Sequence, residues 1–110
     1  MRGVLNLDIL IVDDEIIVNN GIILMLKKQN YYFDNIISAT SGYEALNIID
    51  TQNIDILLTD IKMPDFDGLK LAHHAKEKNP SIQIIFITGH SEFEFAKTAI
   101  DIGVLGYIGL

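Results

Sequence analysis

Four polar side chains in this sequence stand directly after short apolar runs. Asp13 and Asp14 follow the run at 7–12, Asp60 follows 54–59, and Thr88 follows 82–87. Runs of this length, bounded by turn residues, are typical of strands buried on both faces of a parallel sheet. A carboxylate at a strand end can bind a hard cation or attack phosphorus as a nucleophile. Each residue taken alone is also explained as an ordinary strand-ending or turn-forming residue, so the elements that position the four residues decide between these interpretations.

Helical patterns alternate with the apolar runs. Capping-box spacings at Ser41–Glu44 and at Ser91–Glu94 predict two helix starts, and Asn79-Pro80 predicts a helix end. The predicted strands are 7–12, 36–39, 54–59, 82–87 and 105–110, and the predicted helices are 16–28, 41–50, 68–78 and 91–102.

This alternation predicts an α/β fold, a doubly wound five-stranded parallel sheet with helices on both faces. Right-handed crossovers are compatible with the flavodoxin-like strand order 2-1-3-4-5, whose crevice lies between strands one and three. In that order Asp13, Asp14 and Asp60 converge on one site. Clustered carboxylates raise one another's pKa values, and Mg2+ resolves that repulsion through oxygen coordination. The hydroxyl of Thr88 would face a phosphoryl oxygen at the same edge.

Composition limits the remaining classes of function. With 110 residues, 49% hydrophobic and 21% charged, the chain is expected to form one globular domain. The net charge of −7 argues against direct nucleic-acid binding by this segment. The absence of cysteine fits a reducing cytoplasm. No signal peptide and no window of roughly 20 apolar residues is found, so no membrane association is expected.

Four motifs carry a resemblance to a known family. They are Ile-Leu-Ile-Val-Asp-Asp-Glu at 9–15, Thr-Asp-Ile-Lys-Met-Pro-Asp-Phe-Asp-Gly at 59–68, Ile-Thr-Gly at 87–89 and Gly-Val-Leu-Gly-Tyr-Ile at 103–108. In order and spacing, these motifs resemble the receiver domain of two-component response regulators. The resemblance covers nearly the whole chain.

The resemblance implies a phosphoacceptor site that depends on Mg2+. Asp60 would accept a phosphoryl group from a sensor histidine kinase. Asp14 and Asp60 would bind Mg2+ directly, and the main-chain carbonyl of Lys62 would complete the protein ligands. Asp13 would act mainly through a metal-bound water. Such a domain is not an enzyme in the ordinary sense, beyond self-catalysed phosphotransfer and dephosphorylation.

The resemblance also implies a conformational switch and an output. Thr88 would be the switch hydroxyl that moves toward the phosphate, and Tyr107 the aromatic residue whose ring follows it. Receivers of this kind often form a homodimer or bind partners through the fourth helix and fifth strand. Their usual output is transcription regulation in the cytoplasm, through an effector domain outside this segment.

Two departures from the family pattern stand at the C-terminus. The family places a lysine three residues after the switch aromatic, where Leu110 stands in this chain. Losing such a charge-assisted hydrogen bond costs about 1.5 to 3 kcal/mol and would weaken the coupling of phosphorylation to the switch. The chain also ends before the family's fifth helix. A receiver domain truncated at its C-terminus explains both departures.

Two other functions stay open at this point. Leu110 favours a phosphate-independent dimerisation or interaction module that keeps the receiver fold. An aspartate-nucleophile phosphohydrolase would also use strand-end carboxylates with Mg2+, but it would need a second aspartate where Lys62 stands.

Overall fold

Strands and helices alternate along residues 7–28, 33–88 and 106–109, which the computed structural model describes. The strands are β1 Asp8–Val12, β2 Asn35–Ala39, β3 Ile56–Asp60, β4 Gln83–Thr88 and β5 Gly106–Gly109. The described helices are α1 Ile16–Lys28, α2 Gly42–Thr51 and α3 Gly68–Lys78. The helix predicted at 91–102 and the position of Leu110 lie outside the described residues.

The described strands form one parallel sheet in the order β2-β1-β3-β4-β5. Strand β1 lies between β2 and β3, with Val12 beside Thr59 in the register. Strand β4 pairs on its other side with β5, where Thr88 lies beside Gly109. The predicted parallel α/β fold is confirmed, and the carboxyl ends of β1 and β3 lie next to each other.

Apolar residues fill both faces of the sheet because successive side chains on a strand point to opposite sides. On one face, Leu10, Leu57 and Phe86 are fully buried in the cluster that includes residues of α2 and α3. On the other face, Ile11 and Leu58 belong to a smaller cluster with residues of α1. Continuous apolar strands need this cover on both sides, which explains why their sequences do not alternate with polar residues.

The observed element bounds differ from the predicted ones mainly at β3. The prediction starts this strand at 54, whereas the observed strand begins at Ile56. The carboxylate of Asp55 accepts a hydrogen bond from the main-chain N–H of Asp8 at 2.8 Å, in place of a main-chain carbonyl. Ile54 is buried in the core ahead of the strand. The regular strand thus begins two residues later than the apolar pattern indicates, although the main chain of Asp55 still bonds to Asp8 and Gln83.

The predicted capping box at the start of α2 is present with one shift. Ser41 Oγ accepts a hydrogen bond from the N–H of Glu44 at 3.1 Å. The carboxylate of Glu44 accepts from the N–H of Thr40 at 2.9 Å, one residue before the usual partner. Within the described ranges, no helix has both the length and the apolar character that a membrane crossing requires.

Candidate functional site

Three carboxylates converge where β1 and β3 end. Oxygen atoms of Asp13, Asp14 and Asp60, one from each side chain, all lie within 4.8 Å of one another. Asp13 is buried, Asp14 is exposed and Asp60 is half-buried. The structure therefore brings together the three acids that the strand-end pattern singled out.

Asp13 is held in place through both its main chain and its side chain. Its Oδ1 accepts a hydrogen bond from the N–H of Glu15 at 2.8 Å, and its own N–H donates to the carbonyl of Ala39 at 3.2 Å. Burial raises the pKa of the Asp13 carboxyl, and the Glu15 N–H opposes that shift. The negative charges of Asp14 and Glu15 raise the pKa further. A bound cation would offset this unfavourable charge density.

Asn19 on α1 is a supporting residue that the sequence interpretation missed. It is 1% exposed, and its Nδ2 donates to the carbonyls of Asp13 at 3.0 Å and Ala39 at 3.1 Å. Among the described residues its Oδ1 has no hydrogen-bond partner. The available signal was helical spacing, because Asn19 shares the inward face of α1 with Ile22, Ile23 and Leu26.

The loop after Asp60 returns to the same point of the sheet before α3 begins. The N–H of Gly68 donates to the carbonyl of Ile61 at 2.7 Å. A Cβ atom on Gly68 would lie 2.0 Å from the carbonyl oxygen of Asp60 and 2.9 Å from the Cα of Ile61. Only glycine fits this approach, so the first residue of α3 lies directly against the main chain of Asp60.

A second contact joins this loop to the N-terminus of α2. The Asp65 carboxylate accepts hydrogen bonds from the N–H groups of Gly42 at 3.1 Å and Tyr43 at 3.0 Å. These bonds, chiefly the one from Tyr43, hold the pKa of Asp65 below its ordinary value, although burial opposes the shift. Asp65 was given no role of its own from the sequence. Its partners lie more than 20 residues away, so no local pattern reveals them.

A cavity of about 390 Å³ opens beside the acids. Its lining includes Asp14 and Lys62, which carry opposite charges, together with Met63, Pro64 and Asp67. A cavity of this size can admit a phosphoryl group together with a hydrated cation. Another cavity, of about 250 Å³, lies between the C-terminal ends of α2 and α3, whereas the acids lie by the opposite ends of these helices.

The remaining predicted site residues lie on strands next to β3 or one strand further. Thr88 ends β4, one residue beyond Ile87, which is the register partner of Asp60. Tyr107 lies on β5 beside Phe86. The roles assigned to Thr88, Tyr107 and the Lys62 carbonyl stay predictions.

Comparison with known proteins identifies the family. The model of the response regulator receiver domain matches residues 9–109. The positive alginate biosynthesis regulatory protein of Pseudomonas aeruginosa is 36% identical over 102 residues, which are 93% of this chain and 40% of that protein. The transcriptional regulatory protein ZraR of Escherichia coli K12 is 34% identical over 103 residues, covering 94% of this chain and 23% of that protein. This chain thus spans two fifths or less of the length of these two relatives.

Solved structures agree with the family match. A two-component transcriptional regulator AraC from Clostridium phytofermentans superposes with a TM-score of 0.86 at 35% identity, covering 94% of this chain and 81% of that one. The receiver domain of AraT, a response regulator from Geobacillus stearothermophilus, gives a TM-score of 0.83 at 36% identity, with 96% and 81% covered. These matches do not favour the phosphate-independent alternative. With its parallel sheet and its acids at the ends of β1 and β3, the chain belongs to the response regulator receiver domain family.

Proposed function

We propose that this receiver domain is a phosphoacceptor that takes a phosphoryl group from a sensor histidine kinase onto Asp60. The observation that carries the proposal is the convergence of three carboxylates within 4.8 Å at the ends of two neighbouring strands. Asp60 is suited to the acceptor role because it is half-buried beside the cavity-lining loop and still within reach of a donor. Receiver domains act in signalling and are not enzymes in the ordinary sense.

The donor set fits Mg2+. Asp14 and Asp60 would bind the ion directly with the main-chain carbonyl of Lys62, and Asp13 would hold one of its waters. All of these ligands are hard oxygen donors. Mg2+ sites typically combine one or two carboxylates with several waters and a phosphate group. When bound, the ion supplies positive charge to the phosphoryl oxygens as they are transferred. Burial raises the pKa of Asp13, and a nearby cation would favour the charged form of this carboxyl.

The transfer itself is a substitution at phosphorus. One carboxylate oxygen of Asp60 forms a bond to phosphorus while the bond from phosphorus to the kinase histidine nitrogen breaks. The electron pair of the broken bond stays on the imidazole, and the product on this chain is an aspartyl phosphate. The pairing of β3 with β1 and β4 and the contact of Gly68 with the Asp60 carbonyl fix the acceptor main chain during this step.

Phosphorylation then shifts a two-state equilibrium through Thr88 and Tyr107. The strand positions support this role, since Thr88 ends β4 next to the acceptor strand and Tyr107 lies on the adjacent β5. We assign the output to transcription regulation in the cytoplasm, because several relatives are named as transcriptional regulators. Pairing through the fourth helix and fifth strand would connect the switch to a DNA-binding part of a longer protein.

Intact mass after incubation with Mg2+ and acetyl phosphate tests the proposal. The parent protein should gain one phosphoryl group, and Asp60→Asn should gain none. Asp55→Asn is the matched control. This substitution removes the same charge, but Asp55 lies just before β3, whereas Asp60 is the last residue of the strand. The control should gain the group as the parent does. A folded parent that binds Mg2+ and gains no phosphoryl group would refute the assignment.

A further inference from the structure

The start of α2 takes its hydrogen-bond acceptors from two separate segments. Ser41 accepts from the N–H of Glu44, as a local cap does, whereas the N–H groups of Gly42 and Tyr43 donate to Asp65. The N–H of Ala45 already bonds to the carbonyl of Ser41. Asp65 therefore satisfies the two helix-end donors that no nearby residue covers. Its negative charge also suits the positive end of the helix dipole.

Phe66 makes the second contact between the loop and α2. A Cβ atom on Gly42 would lie 2.3 Å from the Cβ of Phe66 and 2.9 Å from its carbonyl oxygen, so this approach requires glycine. The rings of Tyr43 and Phe66 meet edge to face with centroids 5.3 Å apart. We call these contacts of Asp65 and Phe66 with Gly42 and Tyr43 the α2 latch.

The α2 latch fixes the middle of a loop whose two ends are already fixed. Gly68, at the end of the loop, packs against the main chain of Asp60 and Ile61 at its start, which brings the two ends together. Asp67 Oδ1 also caps α3 by accepting a hydrogen bond from the N–H of Leu69 at 2.7 Å. The segment between Asp60 and Asp65 contains Lys62, Met63 and Pro64, which line the cavity with Asp14.

The other side of the latch leads back to the acidic cluster. Helix α2 follows β2, whose last residue, Ala39, accepts a hydrogen bond from the N–H of Asp13. Asn19 bonds to the same Ala39 carbonyl. The loop that follows Asp60 therefore contacts α2, and α2 follows β2, which is hydrogen-bonded to Asp13.

From these contacts we infer that Asp65 is a positioning residue that holds the 61–67 loop, with the Lys62 carbonyl, ready for Mg2+ before the ion arrives. The inference rests on the proposed function, since it concerns the same site. A ligand carbonyl that is already ordered costs less entropy to bind, so the latch should strengthen Mg2+ binding. The bond-making step at Asp60 does not involve Asp65 directly.

Three variants separate this role from general effects of charge and stability. Asp65→Ala removes both acceptor oxygens. Asp65→Asn removes the charge and keeps one oxygen, so it can accept from only one of the two N–H groups that bond to Oδ1 and Oδ2 of Asp65. Asp50→Ala removes the same charge at the opposite end of α2, where Asp50 contacts His74 and Lys78. Calorimetric titration with Mg2+ alone gives the affinity. The phosphorylation rate with acetyl phosphate at increasing Mg2+ gives the half-saturating concentration and the maximal rate separately.

For Asp65→Ala we expect about tenfold weaker Mg2+ binding, the equivalent of one lost hydrogen bond to a charged group, with the maximal rate within about twofold of the parent. Hydrogen exchange at the amides of Gly42 and Tyr43 should accelerate. Asp65→Asn, with one acceptor left, should bind Mg2+ with an affinity between those of Asp65→Ala and the parent, and Asp50→Ala should bind Mg2+ as the parent does. If Asp65→Ala does not fold, Asp65→Ser replaces it with the same expectation, because one short hydroxyl cannot reach both donors.

The inference is overturned if Asp65→Ala, folded and with faster exchange, binds Mg2+ as tightly as the parent, since the latch would then be structural only. Equal losses in Asp65→Ala and Asp65→Asn would overturn it as well, because charge alone would explain them. A parent that binds no Mg2+ would overturn the inference and the proposed metal site together. A parent that binds Mg2+ and is phosphorylated, beside an unaffected Asp65→Ala, would leave the proposed function standing and remove only the latch.

Discussion

Replacing Asp13 with asparagine should stabilise the metal-free protein and weaken its response to Mg2+. Asp13 is 4% exposed, and its carboxylate lies within 4.8 Å of the acidic oxygens of Asp14 and Asp60. Asparagine has nearly the same shape and keeps an oxygen to accept the Glu15 N–H. The substitution therefore removes a buried charge while preserving the hydrogen bond that the side chain makes.

The size of the effect follows from the separation of the charges. Two unit charges 4.8 Å apart repel by about 0.9 kcal/mol in water and by about 3.5 kcal/mol at an effective dielectric constant of 20. The repulsion between Asp13 and exposed Asp14 should be near the value for water, and the repulsion between Asp13 and half-buried Asp60 should lie between the two values. We expect a net gain of about 2 kcal/mol in the free energy of unfolding, or roughly 8 °C in Tm for a domain of this size.

Thermal unfolding followed by circular dichroism, with EDTA and with Mg2+, measures both parts of the prediction. In EDTA the variant should melt above the parent. In Mg2+ its Tm should rise less than that of the parent, because weaker binding contributes less stabilisation at equal ion concentration. Asp34→Asn is the control, since exposed Asp34 lies before β2 at the other end of the sheet and should change stability by less than about 0.5 kcal/mol. A variant that melts below the parent in EDTA, or keeps the full Mg2+ increment, would refute the reasoning.

Three substitutions, with Gly21→Ala as a control for the first, test the supporting contacts by urea unfolding. Gly68→Ala should lower the free energy of unfolding by about 3 kcal/mol or more, because its Cβ would meet main-chain atoms that cannot move aside. Gly21→Ala should raise the free energy of unfolding by about 1 kcal/mol through helix propensity, because nothing lies within 4 Å of its Cβ position. Equal effects of the two would contradict the close approach at Gly68. Asn19→Ala should cost about 2 to 3 kcal/mol because the buried carbonyl of Asp13 loses the Asn19 donor, and a cost below about 0.5 kcal/mol would show that the contact contributes little. The stability difference between the parent and Asp65→Ala should be present near neutral pH and vanish as the pH falls below the ordinary aspartate value of 3.8, because a lowered pKa in the folded state stabilises only the ionised carboxylate. A difference that persists unchanged into acid would exclude the carboxylate as its source.

The elements were predictable from sequence where local chemistry sets their limits. Helices α1 and α3 have the predicted bounds because aspartates that suit a helix N-terminus precede each helix and Asn79-Pro80 ends α3. The acids at the ends of β1 and β3 were equally visible, since a charge that follows a buried run marks a strand end. The start of β3 was placed two residues too early because Ile54, which precedes the strand, is buried and extends the apolar pattern.

The supporting shell of the site was not predictable in the same way. Asp65 and α2 are far apart in sequence, and their contact depends on the close approach at Gly42, which only the fold brings about. Asn19 was not singled out from the sequence, although helical spacing places it on the buried face of α1. Sequence patterns therefore identified the acids that carry the charge, but not the residues that hold them in place.

Because Gly68 lies directly against the Asp60 carbonyl, the N-terminus of α3 would move together with the main chain of Asp60. Because Gly68 has no side chain between the two main-chain segments, a shift of the Asp60 main chain would displace the start of α3 directly. Helix α3 has 11 residues and is about 16 Å long. A tilt of about 5° at Gly68 would thus move Lys78 by about 1.4 Å. That end contacts Asp50, so the displacement would reach the C-terminal end of the neighbouring helix α2, away from the acids.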